Sequence, residues 1–357
     1  MSNTSVDYII LGQGITGTFL SYYLQKEGKK IIVIDDAETF TASRIASGVI
    51  NPVTGRRVVE TWMINDIMPF AVNAYQQLGN EINASVIQQC NVLSFHASVQ
   101  MKQAFEDRLP DDNTYLRTPS NEKTLHNYFN FYLGVGETNP CYLADIQKLM
   151  LGWRKKLIQN NLLLEEKFDW ADCIITENNI TYKNIVAEKI ICCEGSAGVH
   201  NPYFTLLPYA KNKGEVIIAE IPDLPRTNIY KQGLTIVPWK ENLFWIGSPY
   251  EWNYSDTNPT AAFKIKTQLQ LQQWLKLPYK ILDHWAAERP ANVERRPFVG
   301  LHPLMPSVGI LNGMGTKGCS LAAFFANELT EHLLNKAAIN PLADVRRFSK
   351  VLSRQVS

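Results

Sequence analysis

The chain has 357 residues, enough for two domains or for one large core with an insertion. It is 45% apolar and 19% charged, which excludes a disordered polymer, and 35 basic residues against 34 acidic ones leave a net charge of +1. That balance provides no electrostatic footprint for nucleic acid or an anionic membrane, and no apolar run approaches a membrane span.

The polar Met1 to Asp7 runs straight into an apolar strand and leaves no room for a signal peptide. The six cysteines show no C-x-x-C pair and no metal-ligand spacing, so the sequence predicts reduced, packed thiols, no metal site and a cytoplasmic protein.

Tyr8 to Leu11 is an apolar run bounded by glycine, the pattern of a strand buried on both faces. Gly12, Gly14 and Gly17 follow at G-x-G-x-x-G spacing. The first allows a tight turn, the second lets a pyrophosphate approach the backbone, and the third lets helix and strand pack closely. Ile15, Thr16 and the helix read from Thr18 to Lys26 would turn N-terminal amides toward the phosphates. A second strand, Lys30 to Ile34, delivers Asp35 and Asp36, and Asp35 is placed to accept both hydroxyls of an adenosine ribose. An acid here disfavours a ribose 2′-phosphate. Strand, helix and acid together predict a dinucleotide site, while leaving NAD and FAD undistinguished.

Thr39 to Pro52 is rich in small residues. Ser43, Ala46, Ser47 and Gly48 would let the backbone lie against a flat ligand, unless Thr41 or Ser43 simply caps a helix. A helix follows over Trp62 to Leu78. From Asn91 to Gly136 short apolar segments alternate with polar breaks, and Val92 to His96 and Asn127 to Leu133 read as antiparallel strands. Leu143 to Gln159 reads as a helix, and Ile185 to Gly195 as a buried strand whose glycine end is a natural ligand position. Gly214 to Glu220, Leu234 to Pro238 and Leu243 to Gly247 are three strands, and Thr260 to Leu275 a helix. Gly309 to Gly318 is strand plus glycine turn, with a helix from Ser320 to Leu334 behind it. The alternation predicts two interleaved domains.

Four segments carry a resemblance: the glycine turn, Ala42 to Gly48, Trp285 to Gly300, and Asn312 to Gly318. In order along the chain they resemble the D-amino-acid oxidase and glycine oxidase (DAO) family of flavoproteins. Lys213-Gly214-Glu215 stands where that family often has R-G-Q. The resemblance implies an α/β, Rossmann-like FAD-binding domain (1–90, 143–210, 285–357) interleaved with a β-rich, antiparallel α+β substrate domain (91–142, 211–284). It implies that Gly12, Gly14 and Gly17 bind the FAD pyrophosphate and that Asp35 binds the ribose. Ser43, Arg44, Ala46, Ser47 and Gly48 would line the ribityl and ring side. Gly313, Met314, Gly315, Thr316, Lys317 and Gly318 would approach the isoalloxazine edge, and Gly195 the strand-end crevice. Arg289 matches the arginine that grips a substrate carboxylate, and without the pattern it would be read as an ion pair with Glu288 or Glu294. Lys317 would contact flavin, bind an acidic substrate or be solvated. Tyr250 and Trp252 would wall the pocket, or else be core or rim aromatics.

Two departures are informative. Trp245 stands where the sarcosine oxidase branch has a lysine implicated in oxygen activation, and no cysteine lies near Ala287, so FAD is expected to be non-covalent. The activity implied is oxidation of the C–N bond of a small amino acid or N-substituted glycine, by oxidase or dehydrogenase chemistry. Two alternatives stay open. One is an oxidase acting on a carboxymethylaminomethyl-type tRNA uridine, for which Arg56 and Arg57 would form a basic patch. The other is a flavin-binding protein without turnover.

Overall fold

The computed structural model describes residues 4–55, 57–110 and 114–354. Arg56 lies outside the described residues.

Thr4–Leu11 is the centre of an eight-stranded sheet, parallel to Ile31–Ile34 on one side and to Ile185–Cys192 on the other. Val308–Asn312 adds a further parallel strand beside Ile185–Cys192. The continuous apolar run is explained by burial on both faces: Ile10 enters one hydrophobic cluster and Ile9 the opposite one. The first cluster is closed by the helices Ile15–Lys26, Ile64–Glu81 and Gly318–Asn335.

The second eight-stranded sheet runs, edge to edge, Lys280–Arg289, Asn212–Glu220, Leu243–Gly247, Leu234–Pro238, Asn228–Gln232, Asn91–Phe95, Val135–Thr138 and Leu116–Arg117. Period-2 alternation gives it two unlike faces. Ile217, Tyr230, Ile236, Phe244 and Ile246 pack beneath the helix Ala261–Trp274, whose N-cap Thr260 accepts from the Phe263 amide at 3.3 Å. The opposite face carries Val216, Ile229, Val237, Trp245 and Ala287, and it looks toward the first sheet's loops, where Trp245 Nε1 donates to the Ile45 carbonyl at 2.8 Å.

Several elements depart from the sequence reading. Asn127 to Leu133 is not a strand. Its alternation comes from Phe129 and Phe131, which lock into an aromatic cluster with Phe95 and Trp274, and only an isolated bridge joins Phe129 to Leu275. The helix expected from Leu143 starts at Ile146. Tyr142–Ala144 is instead the middle strand of a small sheet with Val49–Ile50 and Ile87–Gln89, and Asp145 then caps the helix by accepting from the Lys148 amide at 2.9 Å. Ala42 to Gly48 forms no helix. Among the strands the sequence reading missed are Asn228–Gln232, with its polar composition, and Lys280–Arg289, which lies at a sheet edge and is mostly half-exposed. The domain boundary read at residue 285 falls inside the latter strand, so Arg289 belongs to the second sheet. No described helix is long and apolar enough to cross a membrane, and no cluster of three metal-ligating side chains occurs among the described residues.

Candidate active site

The turn after Thr4–Leu11 is as compact as its glycines allow. Gly12 has φ +95, and a Cβ there would lie 2.6 Å from the Cys193 carbonyl oxygen. A Cβ on Gly17 would collide with the Gly12 carbonyl, so this third glycine sets the close contact of helix on strand. Gly17 is therefore behind the surface of the site, whereas Gly12, Gly14, Ile15 and Thr16 line it. No side chain caps the helix at Gly14, and Ser43 Oγ accepts from the Ile15 amide at 3.1 Å.

Asp35 is more heavily engaged than its spacing suggested. It accepts from the amides of Gln13 (2.8 Å) and Ala37 (3.0 Å) and from Arg154 Nη1 (2.6 Å). A carboxylate has about four acceptor positions, so about one is left free, and Arg44 Nη2 also lies 3.8 Å from Oδ1. Arg154, buried and also bonded to Gln13 Oε1 and Glu165, holds that carboxylate in place. No sequence signal identified it, because its helix position carries no motif.

These groups open into one cleft of about 1630 Å³. That exceeds the usual few hundred to about 1000 Å³ of a drug-sized site, and suits an extended dinucleotide together with a small molecule. Asp36, Arg44, Ala46, Ser47, Gly195, Tyr250, Trp252, Trp245, Arg289 and Gly313 to Gly318 all line it. Gly48 does not. Its φ of +83 and a Cβ position that would strike the Ala144 carbonyl make it a packing glycine. Glu194, missed by the sequence reading, also lines the cleft. Burial raises its carboxyl to about 7, although Asn201 Nδ2 donates to it at 2.6 Å.

Charge is divided along the cleft. Asp35, Asp36 and Glu194 lie at the glycine-turn end, and Lys231 and Arg289 project from the second sheet. Arg289 makes no ion pair with any described residue. Its Nη1 donates to Asn212 Oδ1 at 2.8 Å and to the Pro249 carbonyl at 2.9 Å, and its Nη2 donates to Ser248 Oγ. Glu288 is occupied by Lys211 (2.8 Å) and Tyr254 (2.7 Å), and Glu294 by Arg347 (2.9 Å). Gly214 supplies the space, since a Cβ there would overlap the guanidinium, and the Tyr250 ring stacks 5.2 Å from it. Burial lowers the Arg289 pKa, but a guanidinium keeps its charge in proteins. Among the described residues the Lys317 ammonium has one hydrogen-bond partner, Thr61 Oγ1 at 3.4 Å. Burial and the neighbouring Lys231 ammonium bring it down to about 8.

Comparison with known proteins agrees with this geometry. The solved structure of a glycine oxidase from Bacillus cereus ATCC 14579 superposes with a TM-score of 0.78 at 14% identity, covering 93% of this chain and 96% of that one. An L-proline dehydrogenase from P. horikoshii gives 0.77 at 15% identity, covering 98% and 99%. An iminodiacetate oxidase from Chelativorans sp. BNC1 gives 0.74 at 17%, covering 94% and 97%. Residues 7–332 match the DAO family, described as FAD dependent oxidoreductase. With the tight glycine turn, the dinucleotide-sized cleft and a family match over nearly its whole length, the chain belongs to the DAO family of FAD-dependent oxidoreductases.

Proposed function

We propose that the enzyme oxidises the C–N bond of a small amino acid or N-substituted glycine, with Arg289 as the anchor for the substrate carboxylate. The observation that carries this reading is the half-buried Arg289 guanidinium facing the cleft with only neutral acceptors around it. A desolvated cation without a counter-ion is unfavourable on its own and is relieved by an anionic ligand. Glycine, iminodiacetate and L-proline, named in the structurally similar enzymes, each carry a carboxylate one carbon from an amine nitrogen.

The residues present fit a non-covalent FAD. Gly12 to Thr16 and the helix they open would hold the pyrophosphate, Asp35 one ribose hydroxyl, and Gly313 to Gly318 the ring edge. The helix Gly318–Asn335 begins at that edge, where its dipole would favour negative charge on the reduced ring. When bound, FAD supplies the acceptor for the hydride and so for both electrons of the amine's oxidation. Arg289 fixes the carboxylate and thereby the direction of the α-carbon, and Asn212, Ser248 and Pro249 fix Arg289. Trp245, tied to Ile45, and Tyr250 wall the space in which that carbon lies. We propose the interleaved domain division on the same basis, with the FAD held by the first sheet's loops and substrate by the second sheet.

The test is anaerobic mixing of the yellow, FAD-loaded protein with glycine, N-substituted glycines and small amino acids, following the flavin absorption. Bleaching by members of this panel is expected. Bleaching by a carboxymethylaminomethyluridine nucleoside alone would replace the reading with the tRNA alternative, and bleaching by none would leave it without support.

A further inference from the structure

Arg289 is not the only cation in the cleft that lacks a carboxylate partner. Lys231 lines it too, and its ammonium makes no hydrogen bond or ion pair with any described residue. It sits on the inward face of Asn228–Gln232, opposite Thr235, which is in turn opposite Gly247. Lys317 enters from the glycine turn of the first sheet, with Thr61 Oγ1 as its ammonium's single hydrogen-bond partner among the described residues. Lys231 is also the neighbouring charge that disfavours the Lys317 cation. Neither ammonium has a carboxylate bonded to it, and an anion reaching both would relieve the burial that disfavours each. Glu60, on the lining of the same cleft, does not serve: it is exposed, bonded by Asn65 Nδ2 at 3.5 Å, and in no ion pair.

The sheet supplies the scale. The Arg289 guanidinium is bonded at Ser248, next to Gly247 on Leu243–Gly247. Lys231 lies two strands away in the same row. Neighbouring strands are about 4.8 Å apart, so the two anchor points are on the order of 10 Å apart at the backbone.

We propose that Lys231 and Lys317 form a second anion-binding site, and that the substrate is an amine carrying two acid groups, one held by Arg289 and the other by this lysine pair. The inference rests on the Arg289 reading above. It adds that a second carboxylate, several bonds from the carbon that is oxidised, selects the substrate. A single carboxylate would use Arg289 alone and leave the lysines unpaired, which predicts weaker binding of mono-acids.

The test uses non-oxidisable acids, read by the perturbation they cause in the absorption of the FAD-loaded protein. Acetate and propionate are compared with malonate, succinate and glutarate in wild type and in Lys231→Met, Lys317→Met and Arg289→Leu. The expected result is that at least one dicarboxylate binds tenfold or more tightly than either mono-acid. Lys231→Met should erase that advantage while leaving mono-acid binding within about twofold, and Lys317→Met should likewise lower the ratio of dicarboxylate to mono-acid affinity, providing an independent arm if one variant fails to fold. Equal affinity for mono- and dicarboxylates, with mono-acid binding still abolished by Arg289→Leu, would overturn the second site and leave the Arg289 reading intact. Binding of both acid classes that is insensitive to Arg289→Leu would overturn the Arg289 reading itself. Lysine variants that weaken mono- and dicarboxylates alike would place the pair against the flavin and overturn the proposal.

Discussion

Lys317 shows how a single residue's energetics separate stability from function. Burial and Lys231 lower its pKa to about 8, while the thiols of Cys141 and Cys319 raise it more weakly, so the folded protein disfavours the cation. The sign follows from linkage. Below pH 8 the lysine is protonated both folded and unfolded, and the folded state bears the whole penalty. Between about 8 and the ordinary lysine value of 10.5 only the unfolded chain holds the proton, so wild-type stability from this group rises with pH. Lys317→Met should therefore stabilise the protein by about 1 kcal/mol at pH 7 in urea unfolding, the scale of a relieved local defect. The gain should shrink as pH rises toward 10.5. A variant less stable than wild type at pH 7 would show that Lys317 has a stabilising partner in the fold. The same titration predicts that KM for a two-acid substrate rises above about pH 8 as the ammonium is lost, with mono-acid KM less affected.

At the scale of elements, the glycine turn is the best-marked part of the chain. Gly17→Ala would drive a Cβ into the Gly12 carbonyl, so the helix Ile15–Lys26 must shift from the strand. A cost of about 1–3 kcal/mol and at least tenfold loss of retained flavin are expected, measured by unfolding and by absorbance of bound FAD after gel filtration. Unaltered flavin retention would mean that the turn does not set the cofactor's position. This unit was legible because a backbone requirement admits only glycine, and because a strand buried on both faces writes a continuous apolar run. The strand Lys280–Arg289 was illegible for the opposite reason: an edge strand with polar residues has no such run, and its significance lies in the side chain at its end. Lys231 was lost with its strand, Asn228–Gln232, although period 2 would have put it on the face of Ile229 once the strand was known. Asn127 to Leu133 erred the other way, since alternate burial of Phe129 and Phe131 imitates a ladder that the backbone does not form. Asp35 lines the cleft, but its partner Arg154 comes from a helix more than a hundred residues later, and only the fold brings them together.

At the scale of the whole molecule, the two sheets meet at the cleft, and side chains from each hold the other. Trp245 of the second sheet donates to the Ile45 carbonyl of the loop after the first dinucleotide unit, inside a buried cluster with Cys90, Cys141 and Ala287. Trp245→Phe should cost about 1 kcal/mol for the buried carbonyl left unpaired, seen as a lower urea midpoint, with flavin still bound. No change in midpoint would mean that the two sheets do not depend on this bridge. Arg289 and Lys231 both project into the cleft from the second sheet, which favours an anionic group at that end. The most direct measurement of the central claim is the single-turnover rate of flavin reduction in Arg289→Leu against wild type, with the best carboxylated amine from the anaerobic panel. Loss of the clamp leaves the substrate's carboxylate desolvated and unpaired, a penalty of about 2–5 kcal/mol, which is a fall of roughly 30- to 5000-fold in the second-order rate of reduction. The account predicts that fall with FAD retained, and an unchanged rate would show that Arg289 is structural and that the carboxylate is held elsewhere.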